Sequence, residues 1–262
     1  MTTVINTNMA SIYAQNNLSA AQGRLATSVQ RLSSGMRINS AKDDSAGLAI
    51  SMGMQSQIYG IEQANRNLSD VIGMAQVTET ALGTIQDMLL RLKTLGTQAG
   101  NSALSPEQKQ QITTEADAIT AQISITRQEA VYNGISLVGA SSADVSTYSV
   151  QAGVKVDTTI DFVTANASIT TNSDNYESVD ADLLSISSER AKMGAMISRA
   201  TYSAQNLQAQ SANLTQARSA IVDTDFASET ANLTKGQIMQ QAATAMLAQA
   251  NQMPNVILSL LK

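Results

Sequence analysis

The chain has 262 residues, with 16 basic against 21 acidic side chains for a net charge of −5, and it contains neither Cys nor His. Those absences exclude thiol nucleophiles, imidazole metal ligands and any disulfide framework, which disfavours an enzyme, and the lack of a basic run argues against a nucleic-acid surface. No apolar run approaches the ~20 residues that span a bilayer, and no basic-then-apolar leader opens the chain, so neither membrane insertion nor a cleaved secretory signal is expected.

From the N-terminus, Val4, Ser11, Leu18, Leu25 and Leu32 recur every seven residues, with Ala21, Val29 and Met36 beside them. That spacing predicts a coiled-coil helix. The stretch Arg31 to Ile50 then interrupts the pattern with Ser33, Ser34, Gly35, Asn39 and Ser40, and restarts it with Asp43, Asp44 or Ser45 available as N-cap acceptors. It reads as a connector between two long helices. Capping is therefore the expected role of Asp43 and Asp44, rather than catalysis.

The next helix, from about 45 to 100, carries Met54, Ile61, Leu68, Ala75, Leu82, Leu89 and Gly96 at the same spacing, widened by Ala64, Val71, Ile85, Leu92 and Ala99. It would be ~80 Å long, and a strict repeat of seven implies a left-handed supercoil. After Gly100-Asn101, Ser105-Pro106-Glu107-Gln108 spells a capping box with Pro at the first helical position, opening a shorter antiparallel helix to about Val131. Asn133-Gly134 breaks it. Within the Ser/Thr-rich stretch to about Asn175, Val154, Val156, Thr158, Ile160 and Phe162 alternate with polar residues as a half-buried strand, and Ala152-Gly153 turns it onto 145–150 as a hairpin.

A third long helix repeats Val179, Ile186, Met193, Ala200, Leu207, Leu214 and Ile221, and can pack along the first. Asp223-Thr-Asp225 breaks the pattern and reads as a cap, because no Gly and distal Glu follow at calcium-loop spacing. The last helix carries Met239, Met246, Met253 and Leu260 with Ala243, Ala250 and Ile257. Pro254 lies inside that stripe, and a kink or restart is expected there.

Charge is unevenly placed: Met1 to Gly23 and Gly236 to Leu261 hold no charged side chain. Two narrow uncharged helices can cover only one seam of each other, which leaves faces bearing Gln15, Asn16, Gln240, Gln241, Gln249 and Gln252. Such faces suit a crowded shared core, where each unpaired charge would have to be desolvated. The expected fold is mainly α, a long antiparallel coiled-coil or helical-bundle rod with a small β-hairpin region at about 140–175 and the termini paired at one end. Its expected domains are 1–44 with 221–262, inner, and 45–220, outer.

Arg91 and Glu115 each lie 12 positions from residue 103, so antiparallel packing sets them level as an ion pair, and Leu95 follows Arg91 by one helical turn. Asn-Leu-Ser/Thr at Asn17, Asn67, Asn213 and Asn232 has the form of a glycosylation sequon, but Leu18, Leu68 and Leu214 sit on the seams, so packing explains them.

The connector Arg31 to Ile50, together with Arg190-Ala-Lys-Met-Gly-Ala, Ala248-Gln-Ala-Asn-Gln-Met-Pro254 and Leu258-Ser-Leu-Leu261, resembles bacterial flagellin over residues 1–140 and 176–262. The connector is similar to the flagellin spoke, in which Arg31, Gly35, Arg37, Asn39, Asp43 and Asp44 are the matching positions. The resemblance implies a short flagellin, without variable outer domains, that polymerises with itself into the extracellular flagellar filament that propels swimming. No catalysis or cofactor is implied. It further implies polymerisation and core packing through Leu18, Leu25, Leu32, Met239, Met246, Met253, Ile257 and Leu260, and type III export without a cleaved signal. The implied partners are an export chaperone, the export apparatus, and the hook-associated and cap proteins. O-glycosylation, which occurs in some flagellins, would fall on the Ser/Thr-rich stretch 140–175. Arg91, Leu95 and Glu115 also resemble the surface read by the vertebrate Toll-like flagellin receptor, although Leu90 and Lys93-Thr94 depart from the family pattern. The alternatives are a hook–filament junction protein, which shares the uncharged terminal helices, and a soluble coiled-coil binding or pore-forming protein.

Overall fold

The repeats of seven become helices in the computed structural model, which describes residues 7–155, 157–171 and 176–260, without the side chains of Ser142 and 254–260. Five α-helices are present among these residues: α1 (Met9–Ser34), α2 (Ser45–Ala99), α3 (Pro106–Glu129), α4 (Val179–Val222) and α5 (Phe226–Leu260). Between α3 and α4 lie six short strands, β1 (Val131–Tyr132), β2 (Ile135–Ser136), β3 (Val138–Gly139), β4 (Thr147–Gln151), β5 (Thr159–Val163) and β6 (Ala165–Asn166). The fold is mainly α. By contacts the chain divides into two compact units, Met1–Ser56 with Leu214–Lys262, and Gln57–Asn213.

In the unit Gln57–Asn213 the apolar repeats of α2 and α4 become its core. Ile61, Leu68, Ala75, Leu82 and Leu89 of α2 are fully buried, and so are Ile186 and Ala200 of α4, with Val179, Met193 and Leu207 nearly so. The two helices run antiparallel, since Arg190 donates to Glu79 at 3.1 Å while Lys93 pairs with Asp180 further along. Tyr176 rests on Gly96, where a Cβ would come within 2.6 Å of it. Helix α3 opens on the expected capping box, Gln108 N donating to Ser105 Oγ and Ser105 N to Gln108 Oε1, and it buries Ile112, Ala116 and Ile123.

The β region is richer than the sequence pattern predicts. Asn133 and Gly134, at φ 49° and 80°, form a two-residue hairpin turn between β1 and β2 rather than a simple helix break. The expected hairpin forms between β4 and β5 in the register Thr147↔Val163 to Gln151↔Thr159, with Ile160 and Phe162 buried. Its second strand begins at Thr159 instead of Val154, because the loop closes through Ala152 N to Thr158 O and Thr158 N to Lys155 O, leaving Val154 exposed. Val156 lies outside the described residues. Strands β3 and β6 pair in parallel. Buried Asp182 fastens this region to α4: its carboxylate accepts from the amides and hydroxyls of both Thr170 and Thr171, so every oxygen is satisfied despite burial.

Candidate functional site: the paired terminal helices and their connector

Helices α1 and α5 run antiparallel, joined by Asn8 to Ala250 at one end and by Arg31 to Glu229 at the other. Their buried seam is made of small residues seven apart, Ala14, Ala21 and Ser28 on α1 against Gly236, Ala243 and Ala250 on α5. Small side chains let the two backbones approach closely. Leu25 rests on Gly236, where a Cβ would meet it at 3.4 Å.

The stripes expected to carry core packing therefore flank this seam. Leu18, Leu25 and Leu32 are half-buried, while Met239, Met246 and Met253 are exposed and border a groove of about 520 Å³ with Ala10, Tyr13 and Asn17. Two helices bury only the faces they turn to each other, so the wider part of each apolar stripe is left uncovered within one chain. Met9, Ile12, Val29 and Ile238 are exposed as well. Val4 lies outside the described residues, as do the side chains of Ile257 and Leu260. Helix α5 continues through Pro254 without the expected restart.

The connector is built on backbone chemistry. Gly35, at φ 70°, ends α1 in the left-handed conformation that a side chain would strain, and its carbonyl accepts from Thr224 N at 3.0 Å. Met36 bridges Asp223, Arg37 N donates to Val222 O at 2.6 Å, and Arg37 Nη2 donates to Ile221 O at 2.5 Å. The connector is thus laced to the segment entering α5. Asp43 Oδ2 accepts from Asn39 N, Ser40 N and Ser40 Oγ. The Ser40 hydroxyl, then the two amides, hold the Asp43 carboxyl below its usual range, with a smaller contribution from Arg31. Asp44 Oδ1 accepts from Gly47 N at 2.9 Å and caps α2. Buried Ile38 fits against Gly47, where a Cβ would lie 2.7 Å from its Cδ1. Asp225 caps α5 by accepting from Ala227 N, as the charged break predicts.

In the other unit, Arg91 and Glu115 meet as the spacing predicts, Nε and Nη2 donating to Oε1 at 2.9 and 2.6 Å, with both side chains exposed. Leu95, expected on the same surface, is 1 % exposed and belongs to the core instead. Its heptad neighbour Leu92 is buried beside it, which turns that side of the helix inward.

The sequence pattern passed over Asn8, and over Ala14 and Ser28, which join Ala21 in the seam. Asn8 caps α1 by accepting from Ser11 N at 3.1 Å, and an Asn just before an apolar repeat was a readable cap signal. The small seam Ala14, Ala21 and Ser28 has the same period of seven as the leucines, and only burial separates the two lines. Among the described residues no group of three or more His, Cys, Asp or Glu could hold a metal ion, and no helix is long and apolar enough to cross a membrane.

Comparison with known proteins bears on this arrangement. A family model of the bacterial flagellin N-terminal helical region matches residues 5–143, and one of the C-terminal helical region matches residues 176–261. Flagellin FlaB1 of Treponema pallidum (strain Nichols) is 34% identical over 292 residues, covering 99% of this chain and 100% of the relative. A flagellin of Bacillus subtilis (strain 168) is 34% identical over 302 residues, with 98% and 99% covered. One of Halalkalibacterium halodurans is 33% identical over 274 residues, with 99% and 100% covered.

Proposed function

The chain belongs to the bacterial flagellins, and on that footing we propose that its paired terminal helices are the surface through which copies of it join. It is a structural protein rather than an enzyme, a subunit that polymerises with itself into the extracellular flagellar filament of swimming motility. The observation that carries the proposal is the line Met239, Met246 and Met253, exposed on a helix pair with no charged side chain from Gly236 to Leu261. Covering such side chains is favourable by ~25 cal/mol for each Å² removed from water, and neighbouring copies are the cover that a polymer supplies.

In this reading residues 1–44 and 221–262 serve as the filament-core domain and 45–220 as the outer domain. Leu18, Leu25 and Leu32 complete the packing surface with the methionines, Ile257 and Leu260, and the connector residues Arg31, Gly35, Arg37, Asn39, Asp43 and Asp44 hold the core helices in register. An export chaperone, the type III apparatus, and hook-associated and cap proteins are the further partners. The exposed Arg91–Glu115 pair is the part of the receptor-like surface open to a vertebrate Toll-like flagellin receptor, with Leu95 supporting it from below. Electron microscopy of purified protein after seeding tests the assembly reading: filaments are expected, and a protein that stays monomeric contradicts it.

A further inference from the structure

With Cys, His and Trp absent, the 12 methionines are the side chains most readily oxidised by peroxides. Their exposure is divided between the two units. In Gln57–Asn213, Met74, Met193 and Met196 are buried and Met88 is half-buried. In the other unit Met9, Met52, Met239, Met246 and Met253 are 51%, 65%, 47%, 65% and 54% exposed. Every described methionine that is exposed lies in the unit holding the terminal helices, and three of the five stand seven residues apart along one line of α5.

We propose that Met239, Met246 and Met253 are peroxide-sensitive modification sites of the unassembled subunit, and that their oxidation to sulfoxides stops it from polymerising. The proposal rests on the reading of this helix pair as the assembly surface. In each step the thioether sulfur attacks one peroxide oxygen, a sulfur–oxygen bond forms and the oxygen–oxygen bond breaks. The sulfur gives up two electrons, and the other peroxide oxygen leaves as water after taking the proton of the transferred hydroxyl. The product is a polar, hydrogen-bond-accepting group on a line of the helix that is otherwise apolar, and burying it without a donor is unfavourable. Once neighbours cover the line, the same sulfurs are out of reach. The sensitivity therefore belongs to the monomer and not to the finished filament.

The test treats purified monomer and preformed filaments with hydrogen peroxide, maps sulfoxides by peptide mass spectrometry, and follows seeded polymerisation by sedimentation. In the monomer, sulfoxide is expected at 239, 246 and 253 well before 74, 193 and 196. The concentration needed for assembly should rise about tenfold or more. A methionine sulfoxide reductase should restore polymerisation, and filaments should gain sulfoxide at these three positions much more slowly. Whatever its own assembly concentration, the variant Met239→Leu/Met246→Leu/Met253→Leu should show no change in that concentration on peroxide treatment. Unimpaired polymerisation of monomer carrying all three sulfoxides overturns the proposal, and so does a block that persists after the reductase has removed them. Failure of untreated wild-type protein to assemble would instead defeat the assembly reading beneath it.

Discussion

Asn8 donates its side-chain amide to the carbonyl oxygen of Ala250 at 2.7 Å, and Ala250 is the residue four positions before Pro254. Pro254 has no amide hydrogen, so that carbonyl lacks its regular helical donor, which together with the clash of the proline ring against the same carbonyl is the reason for expecting a break there. Asn8 supplies the missing donor from the other helix while its Oδ1 caps α1, and Ser11 Oγ donates to Asn251 Oδ1 beside it at 3.0 Å. A defect local to α5 is thereby repaired by a tertiary contact across 242 residues of sequence.

The repair predicts a coupling. Asn8→Ala should lower the opening free energy of amides 243–253 by ~1–2 kcal/mol in the wild-type background, the loss of a cap and of a buried acceptor's partner. In a Pro254→Ala background Ala250 regains a helical donor, so the loss should shrink by about 1 kcal/mol. Native-state hydrogen exchange on the four proteins of this cycle measures it. Equal losses in both backgrounds would show that Asn8 acts only as a cap.

Two glycines of α2 in the same unit give opposite expectations. Gly47→Ala places a Cβ 2.5 Å from Asp44 Oδ2 and 2.7 Å from Ile38 Cδ1, whereas Gly53 has nothing within 4 Å. The first should destabilise by ~1–3 kcal/mol through overpacking, and the second should stabilise by up to about 1 kcal/mol through helix propensity. Urea unfolding distinguishes them, and equal shifts would remove the Ile38–Gly47 contact from the account.

Asp43 makes the connector sensitive to acid. Its carboxyl titrates below the usual range when folded, so the folded state holds fewer protons than the unfolded state while pH falls between the two values. The stabilisation is fully present above the unfolded value and is lost as pH falls through the lower, folded one. Protection of the Asn39 and Ser40 amides should fade in that acidic window, and Asp43→Ala should abolish the dependence. Protection that is unchanged by acid, or by the substitution, would contradict it.

At the receptor-like surface, Arg91→Ala removes an exposed ion pair and should cost only ~0–1 kcal/mol of stability while ending signalling by monomer through the Toll-like flagellin receptor. Leu95→Ala empties a core position and should cost ~2–5 kcal/mol. A steep loss of stability from Arg91→Ala, or signalling left intact by it, would sink that assignment.

The sequence was most legible where a repeat and a burial pattern coincide. The heptads of α2 and α4 predict the core from Ile61 to Leu89 and from Val179 to Leu207 because elements on more than one side cover them. The Ser105–Gln108 box and the level pairing of Arg91 with Glu115 are local or register effects, and spacing carries both. In the terminal helices the same period places Ala14 and Leu18 a turn apart without saying which meets the partner helix, and the smaller residue takes the seam. Helical spacing puts Leu95 one turn from Arg91 but does not say that this side of α2 faces the core. Asn133-Gly134 carried a hairpin signal that reads equally well as a helix stop. Neither the rescue of Pro254 by Asn8 nor the seating of Asp182 under Thr170 and Thr171 could be read locally, because each depends on a group brought in by the fold.

The claim that the terminal helix pair is the assembly surface is tested most directly by Met246→Lys. Met246 is 65% exposed within one chain, so the substitution leaves the monomer free to solvate the new charge. Seeded polymerisation should be blocked, because burying an unpaired charge at each contact costs several kcal/mol. Circular dichroism and the hydrogen-exchange protection of Ile61 to Leu92 should match those of the wild-type monomer. Filaments of wild-type length, seen by electron microscopy at the wild-type assembly concentration, would contradict the account.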